Sequence, residues 1–302
     1  MNVEPRSFAA WMLAMRPKTW AIALAPVFVG TALAFASRGR FDLLVFFATA
    51  LLAVCMQAVT NMENDAGYTR RKAERSNRKG LPRATSLGLL SVKSVERAIL
   101  LTAVVALADT AYLVNVGGAA FLAVTLFSLA AAYLYMGGPR PIAYTPFGEL
   151  TVLVFFGLVA TAGTYYLQTL EVSREALVCG FALGCIASNV LSVNNFRDFE
   201  HDASIGRRTL AVVCGPQTFL NLFAFVQALP YVAVAVLAAS SPKWIPLLVV
   251  FLLTGRSIAL IKAIRTRKGD ELNAVLFQTV ALEMRFALLM TAGAVASGWF
   301  LG

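Results

Sequence analysis

Nine stretches of this 302-residue chain are so long and so apolar that water is the wrong solvent for them. A helix needs about 20 apolar residues to cross the hydrocarbon core of a bilayer. By that ruler, spans fall near residues 20–36, 43–63, 98–115, 118–137, 147–168, 175–194, 217–238, 244–264 and 280–301. Between the fourth and fifth lies Gly137-Gly138-Pro139-Arg140-Pro141, whose glycines and prolines stop a helix. Lipid offers no partner to a free backbone N–H or C=O, so the spans are expected to be helices. The expectation is an all-α polytopic membrane protein with nine transmembrane helices. Residues 1–19 carry Arg6, Arg16 and Lys18 before the first long apolar run, which does not resemble a cleavable signal peptide.

Composition supports the same class by exclusion. Hydrophobic residues make up 59% of the chain and charged ones only 14%, against about 25% charged in soluble domains. A disordered chain is poor in hydrophobics, so disorder is excluded too. Cys55, Cys179, Cys185 and Cys214 stand at no paired or metal-like spacing and lie in apolar runs. The formal net charge of +10 does not imply a nucleic-acid partner, because the charges punctuate hydrophobic spans instead of covering a soluble face.

The placement of those charges implies a topology. The N-terminus and the loops after spans 2, 4, 6 and 8, with their helix ends, hold 22 of the 26 Lys and Arg residues. Arg38, Arg40, Arg174 and Lys243 are the rest. Basic residues accumulate on the cytoplasmic side of membrane proteins. The N-terminus and the even-numbered loops are therefore expected in the cytoplasm.

Two polar segments, four spans apart, follow spans 2 and 6 at that same side. The second runs from Asn194-Asn195 through Arg197-Asp198 to Glu200-His201-Asp202, then Gly206-Arg207-Arg208-Thr209. On a helix, Asn194, Asp198 and Asp202 share one face, a turn apart. Like charges at that spacing repel unless a cation lies between them. Oxygen donors without paired His or Cys suit Mg²⁺, which keeps several waters and binds carboxylates together with substrate phosphates. The first segment offers a poorer set, with Asn61 and Asp65 four apart and Glu63 and Asn64 beside them. Around both lie Arg70, Arg71, Lys72, Arg78, Arg83, Arg140, Arg197, Arg207 and Arg208. Carboxylates, a divalent cation and arginines together complement a diphosphate. Ionising a diphosphate ester requires the departing negative charge to be neutralised, and such groups do that.

These segments and their surroundings resemble the UbiA-type intramembrane prenyltransferase superfamily, most closely its dihydroxynaphthoate polyprenyltransferase branch in menaquinone synthesis. The matching residues are Arg16-Pro17-Lys18-Thr19, Ala25-Pro26, Gly30-Thr31-Ala32, Asn64-Asp65, Gly67, Arg78, Gly80 and Arg83. They continue with Gly138-Pro139-Arg140-Pro141, Tyr144, Gly148-Glu149 and Phe155-Phe156-Gly157, and then almost completely with Asn194-Asn195, Arg197-Asp198 through Asp202, Gly206 and Arg208-Thr209-Leu210. The resemblance implies nine helices forming one membrane-embedded domain over 1–302, around a central cavity. It implies Mg²⁺ as cofactor, with an isoprenyl diphosphate donor and an aromatic acceptor as partners. In this branch the attacked aromatic carbon loses its carboxylate. Carried over by position, Asn64 and Asp65 would serve a first metal, and Asp198 and Asp202 a second. Asp65, Arg197, Asp198 and Asp202 would be the catalytic group. Lys18, Asn61, Asn64, Arg78, Arg83, Arg140, Glu149, Asn194, Asn195 and Arg208 would bind substrate.

The chain departs from that pattern at one place. An acid is expected three residues after Asn64-Asp65, and the position holds Tyr68; later acids become Glu74 and Asn77. A phenol with pKa near ~10 is a neutral, poor Mg²⁺ ligand at pH 7. Glu63, or Asn61 with Asp65, are the candidates to compensate. His201, the single histidine, reads as an exposed loop residue more readily than as a base. Asp109, within the third span, is expected to face the cavity or a partner. Phe155, Phe156, Tyr165 and Tyr166 either line the cavity, shielding a carbocation, or serve as packing.

Three functions are open at this point. The leading expectation is Mg²⁺-dependent prenyl transfer to a dihydroxynaphthoate-like acid. The altered first segment also suits a terpene cyclase that captures its own carbocation. A transporter or lipid-binding bundle without chemistry is the third.

Overall fold

The computed structural model describes residues 3–39, 41–74 and 79–300. The first helices are α1 (Phe8–Met15), α2 (Trp20–Arg38), α3 (Leu43–Arg70), α4 (Val92–Gly117) and α5 (Ala120–Leu134). Short α6 (Gly148–Val152) runs through a π-helical segment (Leu153–Val159) into α7 (Ala160–Thr169). Then come α8 (Arg174–Arg197), the short α9 (Phe199–Ser204) and α10 (Leu210–Cys214), and α11 (Pro216–Ser240). A 3₁₀ segment (Pro242–Leu253) leads into α12 (Thr254–Thr266), and α13 (Leu272–Phe300) ends the chain. Capping residues mark where several helices begin. Asp42 accepts from the Val45 amide at 3.0 Å, and Ser173 accepts from the Ala176 amide at 3.0 Å.

Eight helices among the described residues are long and apolar enough to cross a membrane: 8–38, 43–70, 92–117, 148–169, 174–197, 216–240, 242–266 and 269–299. The expected all-α bundle is present, and eight of the nine expected spans have a counterpart of that length. The remaining one, 118–137, contains the 15-residue helix α5, about 22 Å long at 1.5 Å per residue. Helix boundaries also extend beyond the apolar runs. The helix expected to end near 63 continues to Arg70, and the last one starts before 280. In both cases polar residues continue the helix, which an apolar ruler does not count.

Helix α8 forms the axis of the core, packed by α2, α11 and α13. Its contact with the π segment depends on glycines. A Cβ at Gly157 would lie 2.4 Å from the Gly184 Cα and 2.5 Å from the Gly180 carbonyl oxygen, so only hydrogen fits there. Across the outer surface, Leu100, Leu101, Val104, Phe127 and Leu252 are exposed, as side chains facing lipid should be. Both polar segments begin at the end of a long helix, α3 or α8.

Candidate active site

A cavity with about 1510 Å³ of empty space, its mouth included, runs between α2, α3, α5, α7, α8 and the π segment. Most of its wall is apolar or small: Ile22, Val27, Leu52, Ala131, Phe155 and Phe156 are typical. One end is polar, formed by Arg16, Thr19, Gln57, Asn61, Asn64 and Asn194. Arg16 adopts the left-handed backbone region (φ 50°, ψ 61°), which turns the chain between α1 and the Pro17–Thr19 helical turn. Thr19 accepts hydrogen bonds from the Gln57 and Asn61 side-chain amides, each at 3.0 Å. Asn61 also donates to the Met15 carbonyl at 2.9 Å. Gln57 and Asn61 are one turn apart on α3, so both reach the same loop.

Beside this end lies a compact polar cap, built from the last turn of α3, its following loop, and the α8–α9 junction. Asp65 is completely buried. Its carboxylate accepts from the amides of Ala84 (2.8 Å) and Thr85 (2.9 Å) and from the Thr85 hydroxyl (2.6 Å). Arg83, just before that turn, donates to the Asn64 carbonyl and side-chain oxygens at 3.2 Å each. It forms an ion pair with Glu74 at 3.2 Å, and its guanidinium carbon is 3.5 Å from the Tyr68 ring centre. Tyr68 accepts a hydrogen bond from Arg207.

The second segment carries its own pairs. Arg197 grips Asp198 with two bonds, Nε to Oδ1 at 3.1 Å and Nη2 to Oδ2 at 2.9 Å. The same guanidinium bonds Asn194 and, at 2.7 Å, the Asn273 side chain on α13. Arg207 donates to Asp202 at 2.7 Å and to the Ala143 carbonyl at 3.0 Å. Burial disfavours charge on Arg207, but the Tyr68 and Asp202 oxygens outweigh that and hold its pKa above the ordinary arginine value. Burial likewise pushes the Tyr144 phenol up, with Arg207 pulling the other way. Asn195 donates to Glu149 at 2.9 Å in the first turn of α6; the other Glu149 oxygen meets no donor among the described residues.

The structure therefore brings together Asn61, Asn64, Asp65, Arg83, Asn194, Arg197, Asp198 and Asp202, with Asn195 and Glu149 as a pair alongside. Arg140 and Arg208 are exposed and stand apart from these contacts. Lys18 is exposed, its Nζ 5.5 Å from the Phe277 ring centre. Arg78, like Asn77, lies outside the described residues. Glu63 is buried against Arg70 and does not replace the acid missing at position 68. His201 is buried, contrary to its expected exposure, because α9 turns it inward. Asp109 is half-buried on α4 and does not line the cavity. Of the four aromatics, Phe155 and Phe156 line it, while Tyr165 packs in the core and Tyr166 donates to the Gly117 carbonyl.

Sequence reading missed Arg207 as a site residue and chose Arg208. Alternation along 206–209 buries Arg207 and Thr209 and exposes Arg208; adjacent arginines carry no such signal in the sequence. Gln57 was also missed, although its spacing of four from Asn61 was visible.

As for a metal, no three Asp, Glu, His or Cys side chains converge among the described residues. The first segment does not fit one. Asp65 already accepts three hydrogen bonds, and Tyr68 replaces an acid. The second segment offers hard oxygen donors in Asp198, Asp202 and Asn194, a set that suits Mg²⁺ with phosphate oxygens and water once it turns from Arg197 and Arg207, which hold it in this structure.

The model of the UbiA prenyltransferase family matches residues 23–301. The chain belongs to that family. It is 34% identical over 292 residues to a 1,4-dihydroxy-2-naphthoate octaprenyltransferase of Mycobacterium tuberculosis, covering 97% of this chain and 98% of that one. A protein of the same name from Haemophilus influenzae is 31% identical, with 94% of both chains covered. A UbiA homologue from Archaeoglobus fulgidus, solved with DMAPP and Mg²⁺, superposes with a TM-score of 0.69 at 17% identity, over 95% of this chain and 99% of that one. This UbiA-family chain is a membrane prenyltransferase, and its chemistry is prenyl transfer from an isoprenyl diphosphate.

Proposed function

We propose that the chain transfers a polyprenyl group from an isoprenyl diphosphate to an aromatic acid of the 1,4-dihydroxy-2-naphthoate type, giving a demethylmenaquinone-type quinone precursor. The supporting observation is one cavity with two chemistries: polar side chains of Arg16, Gln57, Asn61 and Asn64, and an apolar wall that includes Phe121, Val124, Phe155 and Phe156. An amphipathic donor fits that division, with its diphosphate at the cap and its chain along the helices. The names of the full-length relatives support the acceptor.

In this reading the allylic C–O bond breaks and diphosphate leaves with the electron pair. A C–C bond forms at the ring carbon bearing the carboxylate, and the electrons of its bond to the departing CO₂ restore the aromatic ring. Asn64, Arg83 and Asn194 hold the diphosphate at the cap, with Arg197 steadying Asp198. Asp198 and Asp202 would hold Mg²⁺, which would supply neutralisation of leaving-group charge. Phe155 and Phe156 keep water from the cationic carbon and stabilise it through their ring faces. Asn195 and Glu149 orient the acceptor's side of the site.

The cap faces the cytoplasm in this proposal, following the excess of basic residues there. Helix α5 serves as a ninth, short membrane helix, and 1–302 acts as one domain. The purified full chain in detergent is tested with polyprenyl diphosphate, Mg²⁺ and 1,4-dihydroxy-2-naphthoate, with products read by mass spectrometry. The expected result is a prenylated, decarboxylated product that disappears with chelator. Donor consumption without any prenylated acceptor overturns the reading; a cyclic hydrocarbon formed from donor alone assigns a cyclase instead.

A further inference from the structure

Two arginines lie near the middle of apolar spans, away from the cap. Arg285 is the fourteenth of the 29 residues of α13, and Arg256 is the fifteenth of the 25 in the span 242–266. Both are exposed on the outer surface, and neither makes an ion pair or a side-chain hydrogen bond among the described residues. A charge facing lipid at such depth is costly unless it is paired. Glu283 serves neither arginine: it is fully buried, with no donor to either oxygen among the described residues. Gln278, two turns before Arg285 on the same face of α13, adds an exposed amide.

The matching acid is on another flank. Asp109 lies on α4, which packs on α3, α5 and α7, whereas α12 packs on α11 and α13. It is half-buried, and one of its oxygens has no donor among the described residues; Ala108 and Ala111 are exposed beside it. Close glycine contacts carry one depth scale across the bundle: Gly117 against Leu167, Gly30 against Thr164, Gly298 against Ala36 and Gly293 against Pro246. At about 1.5 Å per residue along the helices between them, Asp109 and Arg285 lie within about 3 Å in depth. Arg256 is about one turn away on the side of the cap, and its Cα–Cβ bond tilts back toward the N-terminal end of its helix.

We propose that the outer face of α12 and α13 binds the α4 flank of a second copy of this chain, with Arg256 and Arg285 of one copy meeting Asp109 of the next. Opposite charge at matching depth selects this occupant. A lipid phosphate lies outside the hydrocarbon core and does not reach its middle. The exposed Ala108 and Ala111 on one side and Ala259 on the other let the helices approach closely, as membrane interfaces require. The two surfaces differ, so the contact is head-to-tail and closes only by forming a ring of copies.

The test reconstitutes the full chain in liposomes as a mixture of donor-labelled and acceptor-labelled copies, and reads energy transfer as the protein is diluted in lipid. The expected result is transfer that persists on dilution, above the level of random encounters. Arg256→Leu with Arg285→Leu suits lipid, should melt no lower than the parent, and should weaken self-association about 10-fold. Asp109→Arg should weaken it as much. Mixing the Asp109→Arg chain with an Arg256→Asp, Arg285→Asp chain sets opposite charges at every contact between the two, and should restore transfer between them. Random-level transfer in the unaltered chain overturns the inference. A folded leucine variant that associates as strongly as the parent overturns it too, as does a mixture of charge-swapped chains, each folded, that fails to restore transfer.

Discussion

Thr85 binds Asp65 twice, through its amide at 2.9 Å and its hydroxyl at 2.6 Å, and this pair ties a loop to the end of a membrane helix. Asp65→Ala leaves the Ala84 and Thr85 amides without their acceptor. Unsatisfied buried groups cost about 1–3 kcal/mol each. We expect Asp65→Ala to lower the melting temperature in detergent and to increase proteolysis within residues 79–90. A variant that melts like the parent but loses divalent-ion binding would make Asp65 a metal ligand instead of a loop tether.

The Arg197–Asp198 pair is buried and doubly hydrogen-bonded, so the two charges should be removed together or not at all. Breaking such a pair from one side costs about 3–5 kcal/mol, whereas replacing both by apolar residues is often neutral. Asp198→Ala is therefore expected to destabilise the chain, and Arg197→Met with Asp198→Leu to recover much of that stability. Activity should be absent from both. If the double variant retained prenyl transfer, Asp198 would have no chemical role.

Gln57 extends into the polar end of the cavity with its side-chain oxygen lacking a donor among the described residues. We expect a ring hydroxyl of the acceptor to supply that donor, beside the diphosphate end of the site. Gln57→Leu should raise the KM for the aromatic acceptor by roughly 10-fold, the value of one hydrogen bond to a buried polar group, with donor binding unchanged. An equal loss of affinity for both substrates would place Gln57 elsewhere in the mechanism.

Gly157→Ala drives a methyl group into the α8 backbone at Gly180 and Gly184, neither of which can rotate away. Overpacking of this kind costs about 1–3 kcal/mol or more. Gly255 is the contrast: an added Cβ there meets nothing within 4 Å, and the residue lies in α12. Gly255→Ala should stabilise by about 0.4–1 kcal/mol through the unfolded chain. Thermal melting of the two variants, side by side, checks both directions.

Much of this was legible in the residues themselves. Long apolar runs specify membrane helices because lipid permits little else, and the spacing of Asn194, Asp198 and Asp202 set them a turn apart, although α8 ends at Arg197 and Asp202 lies on α9. Tyr68 stood out as a departure only through the family resemblance. What it does was hidden, since its partners Arg83 and Arg207 are 15 and 139 positions away in the chain. The same limit applied to Asp65, whose partners come from a loop that hydropathy cannot fold. Helix α5 was overestimated because an apolar ruler adds loop residues such as Met136 and Gly137 to a helix that stops at Leu134. His201 was misjudged because a histidine among acids resembles a solvated loop until the short helix α9 is seen.

The tether between Asp65 and the Ala84–Thr85 turn has a consequence for ligand capture. Arg83 immediately precedes that turn, so the carboxylate that anchors the loop also sets the guanidinium over Tyr68. The cationic surface is preorganised: gathering the arginines is completed when the chain folds, and little conformational freedom remains to be lost when an anion arrives. A diphosphate meeting this cap finds Arg83 already placed by the folded chain.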